Sequence, residues 1–190
     1  MKKINFKEIL VPVISLFLIC FVVAVLLGTT NELTKDPIDR LQAQKADEAK
    51  MQVCPDAVSF DGQEETDVPV EFYRGFDENG TLVGYAIPAS HKGYGGEIEI
   101  MVGISTQGEI TGVSILSINE TPGLGMNAKK ESFTNQFLTS VPDNGFTAKS
   151  EDPSKQKIDA LTGATITSEA VSQAVNKAIV VYKSLEGGGN

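Results

Sequence analysis

The 190-residue chain has no tryptophan, one histidine and two cysteines. Two cysteines cannot build a zinc site, and Cys20 lies inside an apolar run. Cys54 is therefore alone in the remainder, so no intrachain disulfide is expected, and it reads as a small buried side chain. His91 is flanked by polar residues and reads as solvent-exposed, with no catalytic role. Basic residues are also scarce, 16 Lys+Arg against 25 Asp+Glu for a formal net charge of −9, which argues against nucleic acid as a partner. No nicotinamide fingerprint and no quinone signature is present. Redox chemistry in this chain has to come from a cofactor.

Charge is missing altogether from residues 9–27, a run of 19 residues and about one bilayer thickness of helix. Pro12 sits near its start, where a missing N–H is tolerated. Lys2, Lys3 and Lys7 precede the run and an acidic chain comes after it. That asymmetry predicts a cytoplasmic head at 1–8, a transmembrane helix at 9–29 and a single-pass protein of the cell membrane with its domain outside. A cleaved signal peptide is the rival reading. It calls for a shorter apolar core and small residues at a cleavage site, which Val25-Leu26-Leu27-Gly28 does not offer. Bulky Ile19 before Cys20 speaks against a lipoprotein.

Residues 30–66 read as a linker and stalk helix, and 67–190 as the extracytoplasmic domain. Asp36-Pro37 resembles a cap followed by proline at the first helical position. Ile38, Leu41 and Ala49 then give only a thin apolar stripe, which predicts a solvated helix; packing against another subunit is the alternative. From Val68 the pattern is that of strands, with Val70, Phe72, Arg74 and Phe76 alternating with Glu71 and Tyr73. A turn at 77–80 leads to Val83, Tyr85 and Ile87. A second hairpin places Ile98, Ile100, Val102 and Ile104 on one face, turns at 105–108 and returns through 109–118. Such strands predict a sheet with one face packed. Ala170, Val171, Ala174, Val175, Ala178, Ile179 and Tyr182 form one apolar stripe on a helix of about five turns, ended by Gly187-Gly188-Gly189. The class is α+β: an antiparallel-rich sheet domain with a long C-terminal helix, plus one N-terminal transmembrane helix.

Asp159-Ala160-Leu161-Thr162-Gly163-Ala164-Thr165-Ile166-Thr167-Ser168 is a small-residue turn feeding the start of that helix. Thr167 or Ser168 can cap the first turn, and Glu169 suits the helix dipole. Free N–H groups at a helix start attract phosphate, and Gly163 and Ala164 allow a bulky group to approach. On these residues alone the stretch reads first as a capped helix start and nothing more. Upstream, Glu120-Thr121-Pro122-Gly123-Leu124-Gly125 is a tight loop after a strand, in which Pro122 fixes one turn residue and Gly123 and Gly125 permit positive φ. It can lie against an aromatic ring system, with Leu124 over a face; an ordinary proline-glycine loop is the plain alternative. Tyr94, in Gly93-Tyr94-Gly95-Gly96, reads as a neighbour of the same ring system or as a turn tyrosine.

Taken together, Asp159-x-x-Thr162-Gly163-Ala164-Thr165 resembles the D-x-x-(S/T)-G-A-T signature of covalently flavinylated FMN-binding domains. The 120–125 loop resembles their E-T-P-G-L-G loop, in the expected order. The resemblance spans nearly the whole chain and leans toward the G subunit of Rnf-type ion-translocating ferredoxin:NAD oxidoreductases. The C subunit of sodium-translocating NADH:quinone reductases is the close second. It implies FMN joined through its phosphate to Thr165 by a flavin transferase that uses FAD as donor. Asp159 then serves transferase recognition or holds the turn, Thr162, Gly163, Ala164 and Thr167 complete the attachment site, and residues 120–125 shape the ring pocket. It further implies an electron relay between sister membrane subunits, one link of an enzyme and not a complete one. A stand-alone surface flavoprotein in extracellular electron transfer is a second reading. An anchored binding module, colourless, is the third.

Overall fold

The computed structural model describes residues 6–62, 71–149 and 153–187. Lys2, Lys3, Val68, Val70, Gly188 and Gly189, invoked above, lie outside the described residues. Two compact units are present, Met1–Gln44 and Lys45–Asn190.

The first unit is helical. Helix α1 covers Phe6–Val53 and contains both Pro12 and Pro37. It is long enough and apolar enough to cross a membrane, and every side chain over residues 10–44 is exposed. A linker is expected ahead of Asp36-Pro37, yet the helix runs through it. The sequence around Pro37 is rich in Leu, Gln, Ala, Lys and Glu, all strong helix formers that offset one missing N–H. Thr29 and Thr34 turn their hydroxyls back to the carbonyls of Val25 and Thr30, each at 2.9 Å.

The second unit is built on a five-stranded sheet: β1 (Ser59–Gly62), β2 (Tyr73–Phe76), β3 (Leu82–Lys92), β4 (Glu97–Ser105) and β5 (Ile110–Ser117). Strand order follows chain order and every pair is antiparallel. Both expected hairpins form, with Gly80 and Gly108 at positive φ in their turns. Strand β3 outruns β2, which pairs with it only as far as Ala86. The length beyond that pairing contains Pro88, which has no N–H to offer, and the Ser90 carbonyl accepts from Lys177 Nζ at 2.7 Å, so this edge is blunted.

Helix α3, Thr165–Gly187, lies across one face of the sheet against β3 and β4. Its whole expected stripe is buried, facing Ile87, Ile98, Ile100, Val102 and Ile104. Full burial of aliphatic side chains of this size contributes about 1.5–3 kcal/mol each. The helix also holds the segment after β5. Asn176 Oδ1 accepts from Phe146 N–H at 2.7 Å while its Nδ2 donates to Phe146 O at 2.9 Å. Glu169 accepts from Ala148 N–H at 2.8 Å and from the Thr147 hydroxyl at 3.1 Å, so it anchors a strand instead of merely facing a dipole. Short elements fill that region: a 3-10 turn at Gly125–Lys129, α2 (Glu131–Thr134), a second 3-10 turn at Asn135–Phe137, and the parallel pair β6 (Phe146–Thr147) and β7 (Gln156–Lys157). Phe133, Phe137 and Phe146 stack edge to face beneath them, with centroids 5.8 and 5.1 Å apart.

The sheet is packed on both faces, where one was expected. Ala49, Val53, Cys54 and Ala57 cover Ala86 and Met101 on the side away from α3. The last turns of α1 are therefore core, not solvated stalk. Gly103 and Gly112 stand opposite each other on β4 and β5 and make the room. A Cβ on Gly103 would strike the Val53 carbonyl, and one on Gly112 would lie 2.6 Å from Val53 Cα. The Thr111 hydroxyl donates to that carbonyl at 2.5 Å.

Candidate functional site

The turn before α3 is set by backbone geometry. Ala164 N–H donates to Leu161 O at 2.9 Å, and Gly163 holds φ at +73°, a conformation that favours glycine. The helix opens at Thr165 and its first bond runs from Ser168 N–H to Ala164 O at 3.0 Å. Helix geometry leaves the N–H groups of residues 165–167 at the open end, a place suited to an anion. Thr165 is exposed there.

Thr167 and Ser168 do not cap the helix, because both are already inside it. Ser168 Oγ accepts from Leu161 N–H at 2.9 Å and donates to Ala164 O at 3.0 Å, pinning the turn from within. Thr167 is 1% exposed, and its hydroxyl donates to Glu120 Oε2 at 3.0 Å.

Glu120 is the meeting point of the site. Only 7% exposed, it accepts from Tyr94 N–H at 2.8 Å and Gly95 N–H at 3.1 Å through Oε1. One carboxylate thus joins the 93–96 turn, the 120–125 loop and the start of α3. The glycines follow from this. A Cβ on Gly93 would strike Glu120 Oε1, and one on Gly95 would strike the Asn119 carbonyl. On Gly125 it would lie 2.7 Å from Thr167 Oγ1 and 2.8 Å from Glu120 Cβ. Gly125 is required for close approach, whereas Gly123, at φ +79° with open space beside it, takes the positive φ.

These segments enclose a cavity of about 550 Å³ lined by Tyr94, Glu120, Thr121, Leu124, Gly125 and residues 163–167. Leu124 reaches toward Gly163, where an added Cβ would lie 3.2 Å from Leu124 Cδ2. Tyr94, 73% exposed, Leu124 and Ile166 give it an apolar rim. Asp159, Thr162, Pro122 and Gly123 are not among the lining residues. Asp159 has its backbone held by Gln136, which accepts from Asp159 N–H at 2.7 Å and donates to Asp159 O at 3.3 Å, while the residue as a whole is exposed. Gln136 carries no signal in the sequence that would single it out. A larger open groove, about 870 Å³, runs past His91, Lys177 and Val180 and contains no residue of either motif. Its size does not make it the site. Among the described residues it brings together no buried polar groups, which the smaller cavity does.

The FMN-binding domain family matches residues 93–180, which include every lining residue of that cavity. The G subunit of the Na(+)-translocating ferredoxin:NAD(+) oxidoreductase complex of Acetobacterium woodii is 34% identical, over 96% of this chain and 96% of its own length. The chain belongs to the family of G subunits of ion-translocating oxidoreductase complexes. The proton-translocating counterpart from Clostridium ljungdahlii is 33% identical over 92% of this chain and 91% of its own length. The G subunit of the ion-translocating oxidoreductase complex of Methanosarcina acetivorans is 32% identical over 95% and 98%. The fold recurs in the crystal structure of the C subunit of the Na(+)-translocating NADH-quinone reductase of Parabacteroides distasonis. The two share 19% identity and a TM-score of 0.52 over 74% of this chain and 91% of that one.

The chain is thus a redox flavoprotein subunit of a membrane-associated complex, with an FMN-binding domain. The residues present suit that cofactor. The cavity falls in the range of small-molecule sites, offers apolar side chains to a planar ring, and ends at a helix N-terminus suited to phosphate.

Proposed function

We propose that the chain carries FMN as a phosphoester on Thr165 and relays electrons between redox centres of its sister subunits. The observation that carries this reading is the position of Thr165: an exposed hydroxyl on the first residue of α3, lining the cavity that the FMN-binding family spans. In the attachment step Thr165 Oγ attacks the flavin-side phosphorus of FAD. The pyrophosphate bond breaks, AMP leaves, and the threonine proton is released, all within a flavin transferase. Thr165 has no acid–base duty afterwards.

Bound FMN supplies the electron-accepting and electron-donating chemistry. The N–H groups of residues 165–167 hold the phosphate, while Tyr94, Leu124 and Ile166 cover the ring and shield it from water. Glu120 keeps the three segments assembled. Asp159, exposed and outside the cavity, is read by the transferase and not by the cofactor. Lys2, Lys3 and Lys7 keep the head at 1–8 in the cytoplasm, so the span at 9–29 delivers the FMN domain to the far side of the membrane. A covalent link prevents loss of the cofactor by dilution there.

The test is co-expression of the full chain with a flavin transferase, followed by denaturing electrophoresis under ultraviolet light. A fluorescent band, with an intact mass raised by FMN less one water, supports the reading. A dark band at the unmodified mass overturns it.

A further inference from the structure

Among the described residues, ten line the cavity and Glu120 is the one charged side chain of them. Its three partners are neutral: two backbone N–H groups and a hydroxyl. Both oxygens act as acceptors, as in an ionised carboxylate. Neutral dipoles make a buried carboxylate tolerable without cancelling its charge. Three glycines are surrendered to bring it there, since side chains at 93 and 125 would collide with Glu120 itself and one at 95 with its neighbour Asn119. A fastening role alone does not require an acid, because the amide of glutamine accepts and donates at the same two positions.

We propose that Glu120 is a positioning residue whose fixed negative charge holds the reduction potential of the flavin down. The inference rests on the reading that FMN occupies this cavity. Two electrons entering with one proton leave one net negative charge in the cavity. A carboxylate in its low-dielectric wall opposes that charge. The positive end of α3 acts the other way, but a phosphate esterified to Thr165 already engages it. Glu120 is then the remaining fixed charge in the wall.

The experiment uses the full chain in detergent, loaded by the transferase and checked by intact mass, with the flavin titrated potentiometrically by its absorbance. Glu120→Gln keeps all three hydrogen bonds, with Oε1 facing the turn and Nε2 donating to Thr167 Oγ1, and removes only the charge. Its ratio of reduced to oxidised flavin should rise about tenfold at a fixed potential, a shift of about 30 mV for a two-electron couple. Glu120→Asp keeps the charge but falls short of its partners. Amide exchange at Tyr94 and Gly95 should accelerate in that variant, while its potential stays nearer wild type than that of Glu120→Gln. An unchanged ratio in Glu120→Gln overturns the proposal. So does an equal rise in both variants, which assigns the effect to lost anchoring. A wild-type chain that takes up no FMN overturns the functional reading itself and this inference with it.

Discussion

The Thr167 hydroxyl donates to Glu120 Oε2 at 3.0 Å, joining residues 47 positions apart in the chain. This bond, and not helix capping, accounts for a buried threonine on the first turn of α3. Thr167→Val keeps the shape and leaves the carboxylate one donor short, so it should lower stability by about 2 kcal/mol. Thr167→Ser should restore most of that. Urea unfolding of the pair checks it; a valine variant as stable as wild type would mean the bond contributes nothing.

Asp159 and its motif partner Thr165 part company in the structure, one outside the cavity and one lining it. Asp159→Asn should leave stability within about 0.5 kcal/mol, as expected for an exposed side chain. Flavin attachment by a transferase should slow, and the flavin that is attached should titrate at the wild-type potential. A shifted potential would put this carboxylate beside the cofactor after all, and an unchanged rate of attachment would remove its role in recognition.

Much of the fold was legible because it follows simple periods. The alternation along β3 and β4 and the stripe on α3 both depend on one buried face, which sequence displays directly. The packed second face was hidden, since it consists of glycines and small side chains around Val53, and glycine carries no hydrophobic signal. Phe133, Phe137 and Phe146 sit on elements too short to show a period. At the site, the residues of both motifs could be named in order, but Gly125 was expected to permit positive φ, which only Gly123 of that loop adopts, and Gly93 and Gly95 were given no role of their own. Gly93 and Gly125 instead make room for Glu120, and Gly95 for Asn119. A long-range hydrogen bond such as Thr167 to Glu120, or the grip of Gln136 on Asp159, leaves no periodic trace.

Cys54 is buried against the sheet, its thiol donating to Tyr85 O at 3.4 Å. Burial pushes its pKa up to about 11, Asp56 adding to the effect and the Thr111 hydroxyl opposing it. The folded thiol therefore stays protonated at pH 8 and should resist alkylation that the denatured chain undergoes within minutes. The folded pKa lies above the unfolded one, so stability is intact below the ordinary thiol range and declines as pH climbs from about 9 towards about 11. Cys54→Ala should flatten that part of the pH profile. Rapid alkylation of native protein at Cys54 would contradict its placement.

Glu169 behaves in the opposite sense. Burial pushes its pKa up, but hydrogen bonds from Gln173, Ala148 N–H and Thr147, with Lys149 nearby, outweigh that and hold it below the usual glutamate value. Its contribution is present above the unfolded pKa and is lost as pH falls through the folded one. Glu169→Gln should therefore cost stability at pH 7 and show a shallower decline through the acid range. Parallel acid-unfolding curves for the two proteins would show that the carboxylate is not coupled to folding.

Thr165, among several neighbouring hydroxyls, is the proposed attachment point of the flavin. Trypsin releases residues 158–177 as one peptide holding Thr162, Thr165, Thr167, Ser168 and Ser172. Fragmentation of that peptide from transferase-treated protein, by a method that preserves phosphoesters, reads the attachment point directly. FMN less one water is expected on Thr165, with the adduct gone in Thr165→Ala. The same mass on Thr162 or Thr167, or an adduct that survives Thr165→Ala, would contradict it.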